Sequence, residues 1–464
     1  MKDTKLRDIL DYEFLSSLDI SDDYRKISYK KTKGNYKENR YDSNLWIYDT
    51  ETCENYQISD DNKASISTFN KDSNIVYKKE SSDESDVFYV KDGTGLGHKY
   101  FSIDKDVDMI KHLGDDIFLL KAKDKLGKEE KEKDKEDSYF EEIDKLPFYL
   151  NGAGFIKDRD SALYFYDREN DKLRLIKDLK ADDNLSFVDI NEDNSKILLL
   201  RGNFTDNSVM ELREDLLLLD TKSGEMTLLI ENEFSYYTAR FIEDRIIFVA
   251  SDMKKGGVNE DSFIYSADFE GSYEKVTGDD FDMAFGNSIG TDARFGSSRT
   301  FDVKGDRLYF VVTDFEKSKL LSISLAGDIR EEIPEGVEDF VLADNDIFYL
   351  AMGRDSLAEL KSKNTGETLI ENKVPTEVLP IETFDFTSNG DELTGYVLLP
   401  KKFDENKKYP TILSVHGGPK TEFSDIFHHE HQMFASAGYI VIYTNPHGSS
   451  GRGVNFSDIR GKYG

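Results

Sequence analysis

The residues of this chain that could do chemistry gather in two glycine-rich turns near its C-terminus. Tyr409 to Pro419 reads Tyr-Pro-Thr-Ile-Leu-Ser-Val-His-Gly-Gly-Pro, an apolar strand-like run delivered into a glycine turn. Such a turn can leave a backbone N–H unpaired and aimed outward, the arrangement that stabilises an oxyanion when a carbonyl is attacked. A second run, Gly438 to Tyr443, leads into Asn445-Pro446-His447-Gly448-Ser449-Ser450-Gly451-Arg452-Gly453, and no G-x-S-x-G follows. Ser449 and Ser450 do not fit a nucleophile elbow, whose serine is reached directly from a strand and has a glycine two residues away on each side.

Three further groups have reactive side chains. His416 lies in the first turn, but an α/β-hydrolase base follows its nucleophile in the chain, so His416 is read as a structural residue of the turn. His428-His429-Glu430-His431 lies on a helix predicted over Ser424 to Ala437, where His428 and His431 share a face. A zincin helix needs H-E-x-x-H and a third ligand elsewhere, so the cluster is read as a polar helix face; no metal or other cofactor is expected. Arg294 and Arg299, in and beside the glycine- and serine-containing stretch Gly290 to Ser298, could bind a carboxylate or a peptide carbonyl and are read as solvated loop residues.

Together the two turns resemble the prolyl oligopeptidase family of serine peptidases, most closely its acylaminoacyl-peptidase-like branch, in which one strand ends in HGGP and the next in NPRGSxGYG. The resemblance is specific over roughly 383–464. His447 stands where the family pattern has Arg, and Arg452 where it usually has an aromatic residue. By resemblance, the Gly418 N–H enters the oxyanion hole, and its usual partner is the N–H just after the catalytic serine; Ser, Asp and His are expected beyond Gly464. A weaker match is Leu146 to Phe155, which resembles the tyrosine- and glycine-containing stretch leading into the corresponding strand of that branch.

The elements that must position these turns are mostly strands. Ile381 to Ser388 and Leu393 to Pro400 alternate around Asn389-Gly390 as a hairpin, and with the runs ending at Ser414-Val415 and Tyr443-Thr444 they make four strands of an α/β sheet. Upstream, between Tyr24 and about Glu382, turn clusters recur roughly every 40–50 residues, the period of propeller blades. Each repeat pairs two apolar runs, among them Arg25–Tyr29 with Leu45–Asp49, Ser195–Leu199 with Leu216–Asp220, and Arg307–Val311 with Leu320–Ile323. Seven such units are counted, and one unit alone cannot bury both faces of its sheet, so they must stack radially. Lys121 to Lys145, rich in Lys, Glu and Asp, reads as a solvated insertion in the third unit.

Composition sets the remaining limits. At 464 residues the chain has room for more than one domain. A net charge of -32 disfavours nucleic acid and anionic membrane as partners. The single cysteine, Cys53, read as an ordinary strand residue, excludes an internal disulfide and fits a reducing compartment. The N-terminus lacks a signal-peptide core, no run is long enough to span a membrane, and a cytoplasmic location is expected.

The fold class expected is therefore mostly β: a seven-bladed β-propeller (24–382) followed by the first half of an α/β-hydrolase domain (383–464). The resemblance also implies an N-terminal segment (1–23) docked on the hydrolase part, with Leu6, Ile9, Leu10, Phe14 and Leu15 as the apolar face of a helix over Thr4 to Ser17. The function expected from the resemblance is hydrolysis of short peptides, N-acylated ones included, through an acyl-enzyme, the chain alone being inactive. In that case Ile412, Leu413, Val441 and Ile442 would lack part of their cover. An esterase-type hydrolase and a non-catalytic propeller binding protein remain alternatives, and a homo-oligomeric state is left open.

Overall fold

The computed structural model describes residues 2–460 apart from 83, 94, 96, 127–142, 151–153, 156–159, 181–182 and 419. Most of the charged insertion expected over 121–145 therefore lies outside the described residues, as do Pro419, Gly464 and 151–153 of the tyrosine- and glycine-containing stretch. Lys121 itself continues a strand, Ile117–Asp124.

The described chain is mostly β. Six antiparallel sheets follow one another over 14–57, 67–103, 105–179, 185–275, 284–333 and 337–370. The fourth has seven strands because Met226–Ile242, 17 residues long, pairs Met210–Asp220 through its first half and Arg245–Ser251 through its second. Counting its halves separately gives seven units of four or five strands.

Strand alternation explains why these units stack. Successive side chains point to opposite faces, and here both faces are apolar: Ile197 and Leu199 pack toward the third unit, Leu198 and Leu200 toward the fifth. Every consecutive pair of units shares such a cluster. The seventh shares one with the first, where Val341, Phe348 and Leu350 meet Leu15, Leu18 and Tyr29. First and seventh units are joined by side chains and by the Leu18 N–H donating to Asp339 Oδ2 (2.9 Å), since each sheet is built of its own consecutive strands. One strand of each unit lines a cavity of about 1270 Å³, with Asp108, Asp189, Arg240, Asp302 and Asp339 on its wall.

The N-terminus differs from the helix expected over Thr4 to Ser17. Leu6–Asp11 is a short 3-10 helix, and Phe14–Ile20 is the first strand of the first sheet, paired with Lys26–Asn35. The sheet thus begins before residue 24. Leu6 is 69% exposed, while Phe14 and Leu15 are buried from a strand, on its two faces. A short isolated helix is marginal on propensity alone, and pairing with the neighbouring strand wins. Cys53 also departs from expectation: it is exposed in a turn at φ 57, which Asp49 organises by accepting the Glu51 and Thr52 N–H groups.

After residue 380 the chain forms a mixed sheet in the order Ile381–Ser388, Asp391–Leu398, Ile440–Thr444, Thr411–Ser414; the last two are parallel. The hairpin turns at Asn389 and Gly390, both at positive φ. A helix, α1 (His429–Ser436), packs on it through Ala435 against Val441, Tyr396 and Tyr443. Thr411–Ser414 is an edge strand. Leu413 is 65% exposed and Ile412 and Ile442 are half-buried, whereas Val441, expected to lack cover, is fully buried under α1.

Candidate active site

The two glycine turns end the parallel strands Thr411–Ser414 and Ile440–Thr444 and so lie side by side. The Lys420 N–H donates to Gly448 O (3.1 Å), and the Ser450 N–H to Thr421 O (3.4 Å). Gly418 has φ 142, and a Cβ there would stand 3.0 Å from Lys420 N. Among the described residues no acceptor meets the Gly418 N–H, so one donor of the kind an oxyanion requires is present. Oxygen chemistry at that point needs an attacking group, which the neighbouring serines do not supply.

Ser449 is buried and its Oγ lies 2.7 Å from Pro446 O and 3.0 Å from His416 Nε2. His416 Nδ1 in turn sits 2.9 Å from Gly417 O. A hydroxyl with one proton that donates to Pro446 O cannot also be deprotonated by His416; the pair fastens one turn to the other, in keeping with a structural His416. Ser450 Oγ pairs with Ser288 Oγ at 3.2 Å.

Ser288 carries a pattern that the sequence reading missed. Gly286-Asn287-Ser288-Ile289-Gly290 matches G-x-S-x-G. The structure places it in the sixth unit between Ala284–Phe285 and Phe301–Lys304, with no helix after it and its N–H donated to Thr313 Oγ1 (2.8 Å). The strand–turn–helix context of a nucleophile elbow is lacking.

Segment 420–424 fastens the turn to the sheets behind it. Gly290 N–H donates to Glu422 O (2.7 Å) and Glu422 N–H to Ser288 O (3.0 Å), a bridge between the mixed-sheet part and the sixth unit. Lys420 Nζ is paired with Asp261, whose carboxyl is raised above its usual range by burial. Arg452, replacing the family's aromatic residue, still packs on aromatic rings: its guanidinium lies 5.0 Å from the Phe315 ring and 5.1 Å from that of Phe456. It also pairs with Glu316 (2.6 Å) and donates to Glu392 O. His447 packs on the same Phe456 ring at 5.1 Å, with Nδ1 3.2 Å from Asp391.

α1 starts later than the predicted Ser424, because its first N–H groups are satisfied from outside: Asp292 accepts His429 N–H (2.7 Å) and Glu430 N–H (2.8 Å). His428 and His431 do come together, their rings stacked at 3.9 Å, but they do not form the polar face expected. His431 is buried with Nε2 on Ser414 Oγ (2.9 Å), and burial, with His428 beside it, pushes its pKa down to about 3. Among the described residues no three His, Cys, Asp or Glu groups gather as metal ligands would.

His429 instead receives the N-terminal segment: Tyr12 Oη lies 2.8 Å from His429 Nδ1, and Tyr12 joins Phe14, Ala293, Met352, Leu357, Val374 and Phe427 in one cluster. The two arginines expected in solvent are both engaged. Arg294 pairs with Glu338 and donates to Ile289 O (2.7 Å), and Arg299 holds Asp302 (2.6 Å) and Asp19 (3.3 Å) at the cavity wall.

No family model matches the chain. Among curated proteins it is 27% identical over 248 residues to the uncharacterized peptidase YuxL of Bacillus subtilis, covering 53% of this chain and 33% of that protein. It is 32% identical over 213 residues to dipeptidyl-peptidase 5 of Porphyromonas gingivalis, covering 40% of this chain and 31% of that protein. The matched part thus spans about a third of these relatives. Among solved structures, the acylaminoacyl peptidase of Pyrococcus horikoshii shares the fold with a TM-score of 0.75 at 22% identity, over 98% of this chain and 68% of that one. A prolyl endopeptidase does so with a TM-score of 0.62 at 13% identity, over 98% and 64%. The relatives are named peptidases and the structural neighbours acylaminoacyl and prolyl peptidases, so that, with the paired HGGP and NPHGSSGRG turns at the ends of parallel strands, the chain is similar to peptidases of the prolyl oligopeptidase family and shares their fold.

Proposed function

We propose that this chain is the portion of a serine peptidase that carries a closed seven-bladed β-propeller and the oxyanion turn of an α/β-hydrolase domain, and that the whole enzyme hydrolyses short peptides through an acyl-enzyme. The observation that carries the reading is the Gly418 N–H, which meets no acceptor among the described residues, in the turn that follows a strand parallel to its neighbour. A single oxyanion donor is worth about 3–4 kcal/mol of transition-state stabilisation, but only when a nucleophile attacks. The reading therefore places the serine, its base and its orienting acid after Gly464 and gives the 464-residue chain no turnover of its own.

The propeller reading, with its first blade starting at Phe14 and the mixed sheet beginning at Ile381, is supported by the seven units and by the cluster joining the seventh to the first. The cavity would restrict access to short chains. Peptide substrates are supported by a relative named dipeptidyl-peptidase 5 and by an acylaminoacyl peptidase solved with Z-Gly-Gly-Phe-chloromethyl ketone, which matches this fold with a TM-score of 0.76. A cytoplasmic setting belongs to the same reading, supported by the lone cysteine. Among the described residues no helix is long and apolar enough to cross a membrane.

The test compares the 464-residue chain with one extended through the following reading frame, using acylated and free dipeptide chromogenic substrates and a fluorophosphonate probe. Labelling and turnover are expected of the extended chain alone. Labelling and turnover by the short chain, or none by the extended one, would overturn the proposal.

A further inference from the structure

The segment that fastens the glycine turn contains a buried carboxyl group with no side-chain hydrogen-bond partner among the described residues. Glu422 is completely buried, and among the described residues neither Oε1 nor Oε2 has a hydrogen-bond partner at ordinary distance; the Ser450 N–H, shared with Thr421 O, acts on the carboxyl without satisfying it, and Arg452 Nε is likewise without a partner among those residues. Its backbone makes the two-bond bridge to Ser288 and Gly290 that joins 420–424 to the sixth unit.

The groups facing it come from every neighbouring element. Glu316, from the turn between Arg307–Asp314 and Lys317–Ser324, is committed to Arg452 at 2.6 Å. Tyr396, from the mixed sheet, is buried and feels Glu316, Asp425 and Glu422. Lys420 and Asp425, on Glu422's own segment, are taken up by Asp261 and Arg354. Arg452 is thus the cation that acts on Glu422, and a second carboxylate already shares it. A buried anion so placed is strongly disfavoured.

We propose that Glu422 is a proton-operated clasp: with its carboxyl neutral, segment 420–424 stays seated on 287–291, and losing the proton releases it together with the glycine turn. The clasp stands on the geometry alone, while its consequence for turnover, an alkaline limit on the oxyanion turn, rests on the peptidase reading. Burial, with Glu316 beside it, pushes the Glu422 pKa up from 4.5 to about 9. A released segment exposes the carboxyl at its ordinary value. The raised group thus contributes stability to the seated state that is fully present below pH 4.5 and falls away as pH rises toward 9.

Hydrogen exchange of the 464-residue chain tests this without any catalytic assay. After correction for intrinsic rates, protection of the Glu422 and Gly290 amides is expected to fall about tenfold per pH unit between pH 6 and 8, while amides of the third unit do not follow. Glu422→Gln is expected to abolish that slope. Glu316→Gln keeps Glu422 and frees Arg452 for it, so protection should stop falling at a lower pH than in the parent chain. A slope unchanged in Glu422→Gln, or a profile unmoved in Glu316→Gln, would overturn the clasp and leave the peptidase reading untouched.

Discussion

Phe427→Ala should loosen the molecule where three parts of it meet. Phe427 is fully buried and packs edge-on to Tyr12, 5.9 Å between ring centres, in the cluster that also holds Met352, Leu357 and Val374 of the seventh unit and its surroundings. Its backbone is held by the Gly353 carbonyl and the Thr291 hydroxyl, so the substitution leaves those bonds and removes the ring alone. A buried Phe hides roughly 150–250 Å². At about 25 cal/mol per Å² that is about 4–6 kcal/mol, of which the alanine keeps a part. The expected loss is about 3–5 kcal/mol, in line with other Phe→Ala core truncations. Urea denaturation followed by far-ultraviolet circular dichroism measures it, and hydrogen exchange locates it. Residues 2–14 and α1 should lose protection before the fourth and fifth units do. Phe403→Ala, at a site 41% exposed, serves as the control and should stay within about 0.5 kcal/mol of the parent. A loss under about 1.5 kcal/mol for Phe427→Ala, or one spread evenly over all units, would refute the view that this side chain knots the parts together.

Two further outcomes are expected. Gly451→Ala should cost about 2–3 kcal/mol, because Gly451 sits at φ 73 with Phe315 O only 2.7 Å from an added Cβ; Gly366→Ala, at φ 71 with open space around it, should cost about 1 kcal/mol. His431, held neutral with its pKa lowered to about 3, contributes stability that is complete above its unfolded value of 6.5 and lost as pH falls. Urea midpoints taken from pH 6.5 down to 5 should show a loss of about 2 kcal/mol from this group, absent in His431→Phe.

The sequence revealed the middle of each unit and hid its edges. Second strands are buried on both faces, and those of the fourth and sixth units read as continuous apolar stretches, Ile197–Leu200 and Leu308–Val312. The strands lining the cavity were not legible because one side of each faces it: Lys105–His112 reads Lys-Asp-Val-Asp-Met-Ile-Lys-His, with no continuous apolar pattern. The same ambiguity turned Phe14–Ile20 into a helix, since apolar residues at 14, 15 and 18 fit either period. The glycine turns were legible because their chemistry is local. Their fastenings were not: Asp292 at the start of α1, Asp261 on Lys420 and the bridge from Glu422 to Ser288 join residues more than a hundred positions apart. Asp292 lies in a stretch whose two arginines were weighed as ligands, and its own capping role carried no signal in the order of residues.

The long strand Met226–Ile242 makes the fourth and fifth units inseparable as modules. Elsewhere a cut between units falls outside the strands, in a segment such as the one between Gln57 and Ser67 or between Lys275 and Ala284, or at Asp104 between Ile103 and Lys105. A cut between the fourth and fifth would fall at Phe234 and Ser235, inside continuous backbone pairing on both sides. Circular permutants opened at the other junctions should retain every sheet, whereas one opened there severs a strand. Duplication, deletion or exchange with a relative can therefore act on these two units only as a pair.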